Sequence, residues 1–325
     1  MGMLVDGQWV DDSAKRRSGF RRRDAPLRNW VTADGSSGFK AEAGRYHLYI
    51  SHACPWAHRT LIVRKLKKLE DAISLSVVDW HMTDDGWHFS SRDGAIPDPN
   101  AGAKFLRDIY LASDVNYSGR VSVPVLWDKK TGALVNNESA EIIRMFNDAF
   151  NAFGDASLDL YPADKRAEID TLNERIYNTL NNGVYKCGFG GSQEFYEDSF
   201  NALFATLDDL ERRLGEQRYL VGNAPTEADW RLFTTLVRFD AVYFGHFKCN
   251  LRRIEDYPSL SNYLRDLYQM PGIAETVNMH HIKWHYYHSH TSINPTGIVP
   301  IGPALDLDAP HDRGKSSDEE LRAAG

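Results

Sequence analysis

The junction at Cys54 constrains this chain more than any other feature. Tyr46-His47-Leu48-Tyr49-Ile50 is an apolar run of strand length, and beyond Ser51-His52-Ala53-Cys54-Pro55 the chain turns to helix formers up to Leu66. Proline at the first helical position loses no intrahelical hydrogen bond, so Pro55 marks the helix start and places Cys54 at its N-terminal edge. Backbone N–H groups there lack intrahelical acceptors, and the positive end of the helix dipole adds to them. Both favour thiolate over thiol and predict a reactive cysteine. A second apolar run over 72–80 reads as another strand, and strand, helix, strand in that order implies parallel pairing through a crossover. A dithiol redox motif would carry its second cysteine three residues after the first. That position is Ala57, so Cys54 must find its second sulfur elsewhere.

The other two cysteines, Cys187 and Cys249, are far away in sequence, which argues against a disulfide framework and for a reducing compartment. Both are expected to be packing residues. No apolar run approaches the ~20 residues that cross a bilayer, and the N-terminus lacks a basic-then-apolar leader, so no membrane role and a cytoplasmic location are expected. A net charge of −7 gives no overall electrostatic footprint for nucleic acid. The local runs Lys15-Arg16-Arg17 and Arg21-Arg22-Arg23 read as a solvated arm without chemistry.

Residues 1–45 form an extension rich in Gly, Ser, Asp and Arg. A regular α/β region spans 46–152, broken by an irregular insertion at 81–118. Residues 120–128 and 133–136, joined by turn residues, read as a hairpin, although Pro124 cannot donate to a sheet ladder and belongs at an edge, a bulge or a cis bond. Asn137-Glu138-Ser139 opens a helix. The predicted order is β-α-β, insertion, β-β-α. From 160 to 290 the period is almost wholly helical, with segments at 164–181 and 195–214, the latter carrying Leu203, Leu207, Leu210 and Leu214 on one face. Thr226 reads as the N-cap of a further helix, with Asp229 in the acidic position three residues on. The tail, 291–325, is expected to be an ordered strap and then a frayed end.

Taken together, these segments resemble the glutathione transferase superfamily: a thioredoxin-like N-terminal domain followed by an all-helical C-terminal domain. Cys54-Pro55-Trp56-Ala57-His58-Arg59, the run 118–128 with its Val123-Pro124, Asn137-Glu138-Ser139-Ala140-Glu141-Ile142 and Ile293-Asn294-Pro295-Thr296-Gly297 are similar, more narrowly, to the xi class, the glutathionyl-hydroquinone reductases. The resemblance covers nearly the whole chain.

It implies an oxidoreductase with glutathione as co-substrate, no metal, and a homodimeric assembly. The activity implied is reduction of glutathionyl-hydroquinones to hydroquinones with release of oxidised glutathione, through a mixed disulfide on Cys54. The alternatives are a glutathione transferase, a glutathione-dependent thiol reductase of the omega type, or a non-catalytic glutathione-binding module. Glutathione contacts are implied at Trp87, Arg120, Val121, Ser122, Val123, Glu138 and Ser139. A helix N-terminus for a carboxylate and a Glu side chain for an ammonium suit the γ-glutamyl end at Glu138 and Ser139. Tyr185 resembles a proton donor, while Tyr243 and Tyr286 resemble donors that stabilise the thiolate, with Tyr287 adjacent to the last in sequence. The histidines at 280, 281, 285, 288 and 290 lack the Glu of a zinc protease motif and are expected to face solvent near a helix end.

Overall fold

The computed structural model describes residues 2–11 and 25–314. The two basic runs expected to form a solvated arm, and the last residues of the tail, lie outside the described residues. The chain divides into two compact units: one of residues up to 159 together with 276–299, the other of residues 160–275 together with the chain from 300.

The first unit is built on a four-stranded sheet. Its elements are β5 (Tyr46–Ile50), α1 (Pro55–Leu66), β6 (Ile73–Val77), α2 (Leu106–Ser113), β7 (Val125–Asp128), β8 (Ala133–Asn136) and α3 (Ser139–Asp148). The strand order is β6-β5-β7-β8, with β6 parallel to β5 and with β7 and β8 antiparallel to their neighbours. This is the thioredoxin-like arrangement. All five residues of β5 are buried, because this inner strand is covered on both faces. Ahead of the sheet the extension forms two small pairs: an antiparallel hairpin of β1 (Gly2–Val5) and β2 (Gln8–Asp11), and a parallel pair of β3 (Val31–Thr32) and β4 (Phe39–Lys40).

Three expectations change here. The insertion 81–118 contains α2, whose eight residues bury Leu106, Ile109 and Tyr110; so short a helix after many turn formers leaves little periodicity to read. The strand expected over 120–128 begins only at Val125, since Val123-Pro124 is a cis peptide and Pro124 has no N–H to give to a ladder. The last helix, α9 (Met279–Ser289), was expected to close the helical domain, but it packs into the first unit, with its buried His281, Ile282, His285 and Tyr286.

The second unit is helical: α4 (Arg166–Ile176), α5 (Gly183–Gly188), α6 (Gln193–Glu216), α7 (Glu227–Arg238) and α8 (Pro258–Tyr268). Leu203, Leu207, Leu210 and Leu214 are buried along α6, and every residue of α7 is buried. Thr226 caps α7 as expected: its N–H donates to Asp229 Oδ2 at 2.7 Å, its hydroxyl to the same oxygen at 3.0 Å, and Tyr263 Oη donates to Asp229 Oδ1 at 2.8 Å. The strap from 300 is tied down where Arg313 donates to the carbonyls of Leu214, at 2.7 Å, and Gln217, at 2.6 Å. Among the described residues no helix is long and apolar enough to cross a membrane.

Candidate active site

Cys54 is the N-cap of α1 and Pro55 its first residue. The cysteine makes no side-chain cap bond, so its sulfur is not spent on its own helix. It is a thiol, half-buried, whereas Cys187 and Cys249 are buried. Its Sγ lies 3.7 Å from the Val123 carbonyl oxygen, next to the cis Val123-Pro124 bond. The loop before β7 therefore brings the peptide at 123 against the thiol. Cys249 lies against Cys187, and burial pushes its thiol well above the ordinary range.

Glu138 and Ser139 start α3. Glu138 Oε1 accepts the Ala140 N–H at 3.1 Å and the Ser139 hydroxyl at 3.4 Å, so one carboxylate oxygen caps the helix and Oε2 takes no part in the capping. Ser139 is buried, and its Oγ also accepts from Nη1 of Arg59 at 3.4 Å. Arg59, five residues after Cys54 on α1, is itself buried, with its guanidinium carbon 4.5 Å from the centre of the Trp56 ring. A buried cation is thus fixed behind the start of α3, and its charge adds to the positive end of that helix dipole. Sequence reasoning quoted Arg59 within a motif but gave it no role. An arginine on the buried face of a helix was the available signal.

Tyr110 was missed altogether. It is fully buried on α2, and its hydroxyl donates to the Ser122 carbonyl at 2.8 Å and accepts from the Ser122 N–H at 3.3 Å and from Asn137 Nδ2 at 3.2 Å. Burial raises its pKa, so it stays a neutral phenol able to do both. One oxygen thereby joins the segment 121–123 to the residue before Glu138. Val121 and Ser122 are half-buried and Val123 is buried.

Trp87 lies on the insertion and Arg120 just after it. Trp87 is buried and stacks on His285 of α9, with ring centres 4.8 Å apart and planes 25° from parallel. His285 is oriented in turn through Nδ1, 2.9 Å from the Trp80 carbonyl. His281 Nε2 sits 2.8 Å from the Asp93 carbonyl. The expectation of solvent-facing histidines therefore fails for His281, His285 and His290, all buried. A neutral imidazole buries readily where a carbonyl needs a donor and a neighbouring ring offers a face.

Of the three tyrosines, Tyr286 belongs to α9 in the first unit. It is buried beside His285 and His290, with ring centres at 5.4 and 5.3 Å, whereas Tyr287 is half-buried. Tyr185 and Tyr243 belong to the second unit and come together there, 6.2 Å apart and both 5.4 Å from Phe247. Gly188 makes that cluster possible, because a Cβ there would fall 2.3 Å from the Phe247 ring.

The first unit thus carries a thiol at a helix start, a cis-proline peptide beside it and a Glu-Ser helix start. The glutathione S-transferase N-terminal domain matches residues 53–149, and the glutathione S-transferase C-terminal domain matches 193–266. The chain is 56% identical to the glutathionyl-hydroquinone reductase YqjG of Escherichia coli K12, over 96% of this chain and 98% of that one. The chain belongs to the xi-class glutathione transferases. It is also 52% identical to the glutathionyl-hydroquinone reductase PcpF of Sphingobium chlorophenolicum, over 94% of this chain and 98% of the relative. A solved xi-class structure from Natrialba magadii superposes with a TM-score of 0.93 at 49% identity, covering 97% of this chain and 98% of that one.

Proposed function

We propose that the protein reduces glutathionyl-hydroquinones to hydroquinones at the expense of glutathione. The observation that carries this reading is the half-buried Cys54 thiol at the start of α1, 3.7 Å from the carbonyl of Val123, in a chain 56% identical to a glutathionyl-hydroquinone reductase. The glutathione part of the substrate lies along Trp87, Arg120, Val121, Ser122, Val123, Glu138 and Ser139. Its cysteinyl amide pairs with the backbone at 123, and its γ-glutamyl end meets the start of α3, where Glu138 takes the ammonium and Ser139 and the helix amides take the carboxylate.

The Cys54 thiolate attacks the glutathione sulfur and forms a sulfur–sulfur bond while the carbon–sulfur bond to the ring breaks. The bonding pair stays on the ring carbon and takes a proton from Tyr185, whose hydroxyl is restored from solvent. Free hydroquinone leaves, and Cys54 is left in a mixed disulfide. The thiolate of a second glutathione attacks that disulfide, releasing oxidised glutathione and the Cys54 thiolate. Ala57, where a resolving cysteine would stand, fits this division of labour. Tyr243 and Tyr286 serve the thiolate as hydrogen-bond donors. A cytoplasmic homodimer completes the reading, and light scattering on the purified chain tests the dimer.

The decisive assay is turnover of glutathionyl-menadiol by the wild type and by Cys54→Ser. The variant is expected to be inactive, and the wild type, treated with oxidised glutathione, to gain one glutathionyl group on Cys54 by mass spectrometry. Turnover retained by Cys54→Ser overturns the mechanism. A steadily conjugating enzyme that gains no adduct is a transferase instead.

A further inference from the structure

The hairpin β1–β2 lies outside the span matched by the family domains, which begins at residue 53, yet it touches the two segments that end in Trp87 and Arg120. Its turn, Asp6-Gly7, has positive φ at both residues, 47° and 74°, the geometry of a two-residue hairpin turn. Gly7 is required there, since a Cβ would come within 2.1 Å of the Val115 carbonyl oxygen.

On one side the hairpin pairs with 117–119. Leu4 N–H donates to the Gly119 carbonyl at 2.9 Å and Gly119 N–H returns the bond at 2.9 Å. Gly7 N–H reaches the Tyr117 carbonyl at 3.1 Å, and Asp6 N–H reaches Ser118 Oγ at 2.7 Å. Leu4 is wholly buried in this contact. Arg120 is the next residue along the chain.

On the other side, Trp9 Nε1 donates to the Asp84 carbonyl at 3.0 Å, and its ring covers Gly86 so closely that a Cβ there would be 2.9 Å from it. Arg107 of α2 closes the stack, with its guanidinium carbon 5.0 Å from the Trp9 ring and Nη1 2.9 Å from the Asp85 carbonyl. Trp87 follows directly, its own carbonyl accepting the Leu106 N–H at 2.9 Å. Neither 83–87 nor 117–120 is a strand of the four-stranded sheet, so neither is held by the ladder that holds β5 and β7.

We propose that the N-terminal hairpin is a clasp that sets the positions of Trp87 and Arg120, so that the glutathione site includes an element from outside the thioredoxin-like domain. The inference rests on the reading of Trp87 and Arg120 as glutathione contacts. Leu4, Asp6 and Trp9 act through those two residues and touch no reacting atom. A site whose walls are held before the ligand arrives loses less freedom on binding, so the clasp acts on affinity for glutathione and leaves the chemical step alone.

The test compares wild type, a deletion of residues 2–11, Trp9→Ala and Trp9→Phe, with KM for glutathionyl-menadiol and kcat measured at saturating glutathione. Hydrogen exchange at the amides of 83–88 and 117–122 is followed in parallel. The clasp predicts at least a ~5-fold rise in KM for glutathionyl-menadiol in Trp9→Ala and in the deletion, with kcat unchanged. Trp9→Phe, which keeps the ring over Gly86, restores most of the affinity, and exchange rises only in the two named segments. Should the deletion fail to fold, Trp9→Ala alone decides, because its half-buried side chain sits at the unit's edge. An unchanged KM and unchanged exchange in folded Trp9→Ala overturn the clasp, as does a fall in kcat together with exchange that rises throughout the unit. A wild type that does not turn over the conjugate overturns the proposed function, and the exchange pattern still decides the clasp.

Discussion

Replacing Tyr110 by Phe removes one oxygen and leaves the ring's packing volume in place, so the perturbation is a pure loss of hydrogen bonds. Three are lost: the 2.8 Å bond to the Ser122 carbonyl, the 3.3 Å bond from the Ser122 N–H and the 3.2 Å bond from Asn137 Nδ2. Ser122 is half-buried, so water can replace much of what it loses. Asn137 is only 5% exposed, and its amide stays dry. At about 1 kcal/mol for each of the better bonds, and more for the donor left orphaned, the cost comes to about 2–3 kcal/mol. In a unit of this size each kcal/mol lowers the melting temperature by about 2–4 °C, so calorimetry should show the first unit melting roughly 5–10 °C earlier. The same oxygen spaces the 121–123 segment from Glu138, so KM for the glutathionyl conjugate should rise with it while Cys54 stays reactive to a small alkylating thiol reagent. A melting shift below about 2 °C, or an unchanged KM, would show that the hydroxyl is not the tie described.

Two further outcomes follow from buried groups. His47 lies on β5 with Nδ1 2.7 Å from Ser74 Oγ and Nε2 2.9 Å from Ser76 Oγ, and burial lowers its pKa from 6.5 to about 4. As pH falls, the unfolded chain takes up this proton first, so stability is intact above about pH 6.5 and declines towards pH 4. The loss is about 2 kcal/mol at pH 5 from this group, and urea titrations at pH 7 and pH 5 should show a smaller stability difference in His47→Gln than in wild type; equal differences in the two proteins refute it. Gly188→Ala places a Cβ 2.3 Å from the Phe247 ring and must displace it from Tyr185 and Tyr243, at about 1–3 kcal/mol. KM for the quinone conjugate should rise while that for glutathione holds, and steady-state kinetics showing no change in either would disprove the coupling.

The parts of this fold legible in the sequence are those whose signal is local. Cys54-Pro55 marks the start of α1 because proline's missing N–H has a use only there. Thr226 and Asp229 mark α7 because a capping box is a four-residue object. Val123-Pro124 and Glu138-Ser139 have the same character, and the resemblance could therefore be carried by short segments in order. The reading of Trp87 and Arg120 as glutathione contacts came from that resemblance alone, since nothing in the irregular stretch 81–118, or just after it, distinguishes a binding side chain from a packing one.

What escaped reading depends on partners distant in sequence. Tyr110 matters because its hydroxyl meets Ser122, 12 residues on, and also Asn137, 27 residues on. Hydrophobic periodicity registers only that Tyr110 is aromatic. The histidines of α9 failed for a related reason. A polar residue near a helix end is assigned to solvent by its charge when protonated, but a neutral imidazole carries one donor and one acceptor and is satisfied by a single carbonyl. His285 finds that carbonyl at Trp80, 205 positions away, and then offers its face to Trp87. A helix that supplies such donors to the insertion belongs with the insertion, which is why α9, last in sequence among the described helices, folds as part of the unit that begins the chain.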